Sequence, residues 1–278
     1  MSHLLVQHPD LDSRLLTVLN EKIGKPPFQE LHHLARWQMA EGNRDFAASL
    51  ADEFRVDAAW IENSNQLSDY RLLVFDMDST LITIECIDEM GDYFGKKAEV
   101  AAITEAAMRG EIADYNESLR RRMKLLAGMP VTAMQAIYDK RLKLSPGVEQ
   151  LISQAQSCGL KILLVSGGFT FFAHQLQARL KLDFVRANVV ETVDGKLTGG
   201  LIGEIVNANV KQRLLEETCA AMGCSPAKAI VAGDGANDLK MMSIAGVSIA
   251  YRAKPVVQKQ ALYALNYCGL DAALNFFA

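Results

Sequence analysis

Two hydrophobic rhythms run along the chain, one on either side of residue 70. On the N-terminal side, His3–Gln7 is a short apolar run that predicts a strand. A helical pattern opens near Asp12, with Leu15, Leu16, Val18 and Leu19 on its apolar face, and Gly24-Lys25-Pro26-Pro27 breaks it. Residues 28–40 fit a strand or a helix. Residues 44–55 repeat as a helix and Ala58–Ile61 as a strand. This βαβαβ-like unit runs into a polar stretch, Glu62–Asp69, which predicts a boundary between a small N-terminal α/β domain (1–69) and a larger one (70–278).

Beyond the boundary the apolar runs are unbroken: Leu72–Phe75, Ile162–Val165, Ala229–Ala232 and Val247–Ala250. A strand buried on both faces reads this way. Helical patterns near 147–158, 170–180, 208–222 and 236–244 separate them, so a parallel sheet covered on both faces is expected. Between the first two runs lies a segment with little strand character. Ile87–Phe94, Val100–Met108, Tyr115–Leu126 and Thr132–Leu142 read as its helices. Inserted directly after the first strand, a helical cap of about 82–144 should sit over the carboxyl edge of the sheet. Residues 187–199 read as a hairpin turning at Asp194-Gly195.

Composition narrows the class. Of 278 residues, 50% are hydrophobic and 22% charged, with a formal net charge of −4. Such a chain can bury a large core without disulfides or a structural metal. No basic stripe points to nucleic acid, and no apolar run is long enough to span a membrane. The N-terminus is interrupted by His8, Pro9, Asp10, Asp12 and Arg14, unlike a signal peptide. The five cysteines form no CxxC pair, as expected of reduced thiols in a cytoplasmic protein.

The acids fall where the strands end. Asp76-Met77-Asp78-Ser79-Thr80 follows Leu72–Phe75, Ser166-Gly167-Gly168 follows Ile162–Val165, and Gly233-Asp234-Gly235-Ala236-Asn237-Asp238 follows Ala229–Ala232. Each alone is ordinary turn chemistry. Together they line the edge at which open α/β sheets bind ligands. An EF-hand loop starting at Asp76 would need Gly and Glu where Leu81 and Ile87 stand, and Gly91–Lys96 is one residue short of a Walker loop. Asp76, Asp234 and Asp238 would crowd three carboxylates together. That crowding calls for a hard cation such as Mg²⁺, or for raised pKa values. With Mg²⁺, one Lys and a protonated Asp78, the charges balance and a phosphate dianion can enter. Ser166 with the amides of Gly167 and Gly168, at an expected helix N-terminus, suits an anion.

These residues resemble the haloacid dehalogenase superfamily, and within it the phosphoserine phosphatases. Asp76-x-Asp78-Ser79-Thr80, Ser166-Gly167-Gly168, Lys211 in Val206-Asn207-Ala208-Asn209-Val210-Lys211, and Gly233-Asp234-Gly235-Ala236-Asn237-Asp238 match that group's four motifs in order. The resemblance runs from Arg71 to the C-terminus. It implies a HAD-like Rossmannoid parallel sheet with a helical cap after the first core strand. It also implies hydrolysis of O-phosphoserine, the last step of phosphorylated serine biosynthesis. In that scheme Asp76 is the nucleophile and Asp78 the acid and base. Asp76, Asp234 and the Asp78 carbonyl hold Mg²⁺, while Ser166, Gly167 and Lys211 hold phosphoryl oxygens. Asn237 and Asp238 order the metal's water shell or Lys211. Read without the family, Lys211 would be a solvated surface charge.

Glu85 and Arg122 match the family's serine-binding positions, and a carboxylate with a guanidinium suits the two charges of an amino acid. Arg120, Arg121 and Arg122 could otherwise form one solvated helix face. Met108 reads as a wall over the substrate or as a core residue. Another small-molecule phosphatase of the superfamily and a phosphoserine-dependent phosphotransferase are the alternative activities. Residues 1–69 lie outside the resemblance. They look like an incomplete ACT-type domain of unknown ligand, with apolar surfaces that could form a homodimer. A chain beginning near Ser68 is expected to fold and stay active.

Overall fold

The unbroken runs become central strands because helices cover both faces of the sheet they form. In β5 (Leu72–Phe75) all four residues are buried. Leu73 and Phe75 face one hydrophobic core, while Leu72 and Val74 face a second. β6 (Lys161–Phe169) and β9 (Ala229–Gly233) divide in the same way: Ile162, Leu164, Ile230 and Ala232 point to the first core, and Leu163, Val165, Ala229 and Val231 to the second. The period of two is present but hidden, since both faces are apolar.

The computed structural model describes residues 2–39, 42–62 and 65–277. Residue 40 of the ambiguous segment 28–40, and residues 63 and 64 of the polar stretch Glu62–Asp69, therefore lie outside the described residues. The chain first forms β1 (His3–Gln7), α1 (Ser13–Ile23), β2 (Gln29–Leu31), β3 (Leu34–Gln38), α2 (Arg44–Phe54) and β4 (Asp57–Ile61). The ambiguous segment is thus a pair of strands, and the order is βαββαβ where the sequence suggested βαβαβ. The four strands make an antiparallel sheet in the order β2-β3-β1-β4, a ferredoxin-like arrangement. Helix starts are where short polar side chains cap them. Asp12 accepts from the Leu15 amide at 2.8 Å and Asn43 from that of Phe46 at 2.9 Å.

One face of this small sheet (Leu4, Val6, Ala35, Trp37) packs on α1 and α2. The opposite face, with Leu5, Leu34, Ala59 and Ile61, joins the core that contains Tyr70, Ala272, Phe276 and Phe277. Polar contacts fasten the same seam. Asp57 is 2% exposed and accepts from the amides of Asn266, Tyr267 and Cys268 at 2.6, 3.2 and 2.8 Å. Arg36 donates to the Asn275 carbonyl at 2.8 Å. This second apolar face of the small sheet is covered by the chain's own C-terminal segment.

After β5 come α3 (Cys86–Tyr93), α4 (Lys97–Met108), α5 (Tyr115–Lys124), α6 (Val131–Lys140) and α7 (Val148–Ser157). An antiparallel bridge between Ile82 and Leu144 closes the base of the helical segment. Then follow β6, α8 (Thr170–Leu180), β7 (Phe184–Val193), β8 (Lys196–Ile202), α9 (Ala208–Ala221), β9, α10 (Leu239–Ile244), β10 (Val247–Tyr251), α11 (Pro255–Gln260) and β11 (Tyr263–Leu265). The large sheet runs β11-β10-β9-β5-β6-β7-β8 and is parallel except for β8. The hairpin turns at Asp194-Gly195, both with positive φ. No helix among the described residues is long and apolar enough to cross a membrane.

One expectation needs correcting. Ser166-Gly167-Gly168 does not follow the strand: β6 continues through it to Phe169, and its register against β7 shifts between Val165 and Phe169. Asn188 of β7 holds the stretch extended, donating to the Gly167 carbonyl at 2.7 Å. Helix α8 starts only at Thr170, so the Gly167 and Gly168 amides precede the helix and do not form its first turn.

Candidate active site

The end of β5 carries the first acid. Asp76 is 5% exposed, and its amide donates to Ala232 O at 3.0 Å, fixing it beside β9. The chain then makes one wide turn over Met77–Leu81, in which Ser79 adopts a left-handed φ of 56°. That conformation is unfavourable for a residue with a Cβ and recurs at functional loops. It brings the Ser79 hydroxyl to Glu85 Oε1 at 2.6 Å. Thr80, fully buried, donates to Asp234 Oδ1 at 3.3 Å and so ties the first acidic loop to the one after β9.

Lys211 is no surface charge. It is fully buried at the start of α9, with Nζ 2.7 Å from Asp76 Oδ1 and 2.7 Å from Asp238 Oδ1. Burial alone would lower its pKa, but the two carboxylates outweigh burial and raise it, so the ammonium stays charged. The acids respond to one another. Burial, then Asp76 and Asp238, push Asp234 up to about 7, and burial with Asp76 pushes Asp238 to about 6 against the pull of Lys211. Burial, followed by the charge of Glu85, raises Asp78 well above the carboxylate range. Its Oδ2 accepts from the Cys86 amide at 3.2 Å, while its Oδ1 is buried without a partner.

Oxygen atoms of Asp76, Asp234 and Asp238 lie within 4.8 Å of one another. An all-oxygen donor set whose members raise each other's pKa fits a hard divalent cation. Asp238 is already engaged on both oxygens, by Lys211 and by the Gly235 amide at 3.1 Å. Asp76 and Asp234 each keep one oxygen without a hydrogen-bond partner among the described residues and could hold a cation directly, while Asp238 contacts Lys211.

Ser166 is 1% exposed and accepts from the Gly168 amide at 2.7 Å. The two glycines follow from close approach. A Cβ on Gly168 would stand 2.5 Å from Met77 Cε and 3.2 Å from Asp78 Oδ2. One cavity of ≈ 400 Å³ brings Asp76, Asp78, Ser166, Gly167, Asp234 and Asn237 together with residues of the helical segment. Lys211 lies beneath it, buried behind Asp76.

The helical segment contributes Glu85 and Arg122 to the same cavity. Arg120 and Arg121 are exposed, whereas Arg122 is half-buried with Nε unpartnered, so one arginine of the run turns inward. Burial raises Glu85, and the Arg122 charge offsets part of that shift. No ion pair joins the two among the described residues, and Glu85 Oε1 accepts only from the Ser79 hydroxyl, so the two charges stand apart. Met108 lines the cavity and is 68% exposed, which makes it part of the wall and not the core.

The sequence reading missed Ser79, Thr80, Tyr115 and Lys254. The hydroxyls of Ser79 and Thr80 lay inside a motif already identified. Tyr115 shares a helix face with Arg122 at the i, i+7 spacing, which was visible but unused. Lys254 follows β10 at the same sheet edge as the acids, and its amide donates to Asp234 O at 3.3 Å.

A haloacid dehalogenase-like hydrolase model matches residues 73–243. A phosphoserine phosphatase of Polaromonas sp. is 55% identical over 214 residues, covering 76% of this chain and 91% of that protein. A HAD family hydrolase from Salmonella enterica serovar Typhi superposes with a TM-score of 0.89 at 30% identity, covering 100% of this chain and 98% of the other. A substrate-bound phosphoserine phosphatase superposes with a TM-score of 0.70 at 34% identity, covering 75% and 99%. These matches agree with the strand-end acids, the buried Lys211 and the helical segment over the sheet edge: the chain belongs to the haloacid dehalogenase-like hydrolase family.

Proposed function

We propose that the chain hydrolyses O-phosphoserine to serine and phosphate through an aspartyl-phosphate on Asp76. The observation that carries this reading is the pairing, across one cavity, of a nucleophile-and-acid set with separated opposite charges. Asp76 and Asp78 lie on the sheet edge, and Glu85 and unpartnered Arg122 lie on the helices above. The identity to a named phosphoserine phosphatase supports it.

Asp76 is held by Lys211 and by the Met77 amide at 2.7 Å on the same oxygen, Oδ1. Its Oδ2 remains for attack on phosphorus. Burial and the Glu85 charge favour the protonated form of Asp78, and the unpartnered Oδ1 is the atom from which the serine oxygen would take the proton as the P–O bond breaks. Asp78, now ionised, then accepts a proton from the water that attacks the aspartyl-phosphate, releasing phosphate and restoring Asp76. Ser166, Gly167 and Asn237 surround the phosphoryl group. Arg122 takes the substrate carboxylate and Glu85 its ammonium. The cation, which we assign as Mg²⁺ on Asp76, Asp234 and the Asp78 carbonyl, supplies charge neutralisation for the phosphoryl oxygens when bound. Phosphate release from a panel of small phosphomonoesters, with Mg²⁺ and then with a chelator, tests this. Phosphoserine should be preferred and the chelator should abolish release. A panel turned over without preference would defeat the substrate assignment.

A further inference from the structure

Tyr115 opens α5, and the same helix face carries Ser118, Leu119 and Arg122, all on the cavity wall. Its ring packs against the main core, but its hydroxyl makes no hydrogen bond to the protein. The hydroxyl lies directly beside Gly167 near the end of β6: a Cβ built on Gly167 would fall 2.3 Å from it. The position is held from two sides. Asp114 caps the helix, accepting from the Asn116 amide at 3.0 Å, and Asn116 in turn accepts from the Asn207 side chain at 3.1 Å. Asn207 is the cap of α9, the helix that presents Lys211. The start of α5 is therefore tied to the part of the protein that holds Lys211 and Asp76, whereas Arg122 stands two turns farther along.

We infer that the Tyr115 hydroxyl is a further substrate contact, donating a hydrogen bond to a phosphoryl oxygen beside Gly167. This rests on the phosphatase reading above. Gly167, beside which this hydroxyl lies, is one of the groups assigned above to the phosphoryl group, whereas the amino-acid part is assigned to Arg122 and Glu85. Burial pushes the phenol up to about 12, so it is a neutral donor at working pH and adds no charge to a site already balanced. It would also let α5 sense both ends of the substrate, phosphate through Tyr115 and carboxylate through Arg122.

The test is Tyr115→Phe in the full chain with Mg²⁺, which removes the hydroxyl and keeps the ring. Steady-state kinetics on phosphoserine and on p-nitrophenyl phosphate should both lose roughly tenfold or more in kcat/KM, the usual effect of removing a hydrogen bond to a charged group. The inhibition constant of inorganic phosphate should rise with them, while the thermal midpoint stays put. Unchanged kinetics, a loss confined to phosphoserine, or an unchanged constant for phosphate would each overturn the assignment. Should the unmodified chain prefer another ester, the phosphoserine reading fails. The Tyr115 comparison on p-nitrophenyl phosphate and phosphate would still be decided.

Discussion

At Asp76, replacing carboxylate by amide keeps the shape and the Lys211 contact while removing the nucleophile. Asp76→Asn should therefore abolish turnover and leave the folded circular dichroism spectrum intact, and measurable steady-state turnover in that variant would exclude covalent catalysis through this residue. Arg122→Ala should cost phosphoserine at least about 10²-fold in kcat/KM, because a partly buried charged contact is worth roughly 2–5 kcal/mol. Phosphoethanolamine, which lacks the carboxylate, should lose far less, and kinetics on the two esters decides it. Gly167 gives a test of geometry. Gly167→Ala should be strongly impaired, since its Cβ would meet the Tyr115 hydroxyl at 2.3 Å while the ring carbon bearing it stands at 3.4 Å. Combining it with Tyr115→Phe should therefore give activity close to that of Tyr115→Phe alone. The residue types of the site were legible in sequence, but the state of each was not. Lys211 was ambiguous because a helical Lys is usually solvated, and only the meeting of α9 with two strand ends puts it at zero exposure.

Among the elements, the sheet and its helices were legible because the signal is local and repeated. An apolar run of four residues bounded by turn chemistry, as in Leu72–Phe75, is too short for a helix and fits a strand buried on both faces. Segment 28–40 was not legible. Its two strands are three and five residues long, and β2 is an exposed edge, so no alternation accumulates. β6 was placed too short for a related reason. Ser166-Gly167-Gly168 has the composition of a turn, yet Asn188 on the neighbouring strand holds it extended. At the seam between the sheets, the side chain of Asp57 serves as a cap for the loop after β11. Asp57→Ala would leave up to three amides without their acceptor. It should lower stability by about 2–3 kcal/mol, comparable to one buried group left unsatisfied. A shift of the urea midpoint at constant slope measures this.

For the whole molecule, the shared core attaches a stability cost to a chain beginning near Ser68. Leu5, Leu34, Ala59 and Ile61 share one core with Tyr70, Ala272, Phe276 and Phe277. Removing residues 1–67 would strip that cover from the C-terminal segment and remove Asp57 with it. The shortened chain should show a lower melting midpoint and a tendency to associate, readable by calorimetry and by size-exclusion chromatography against the full chain. Unaltered melting would mean that the seam contributes little. Among the described residues, none of 1–67 lines the site cavity, so any activity that survives should keep its preference among phosphate esters.

What the chain's order of residues determined by itself is the set of parts: parallel strands, a helical insertion, and acids at strand ends. Each of these is written in short-range periodicity or in the residue that directly follows a strand. The tertiary structure alone decided which parts meet. Asp238 engages Lys211 across 27 positions, Thr80 reaches Asp234 across 154, and Asp57 anchors residues about 210 positions away. Contacts at such separations leave no local pattern, because they depend on the packing of whole layers and not on the propensity of any one segment.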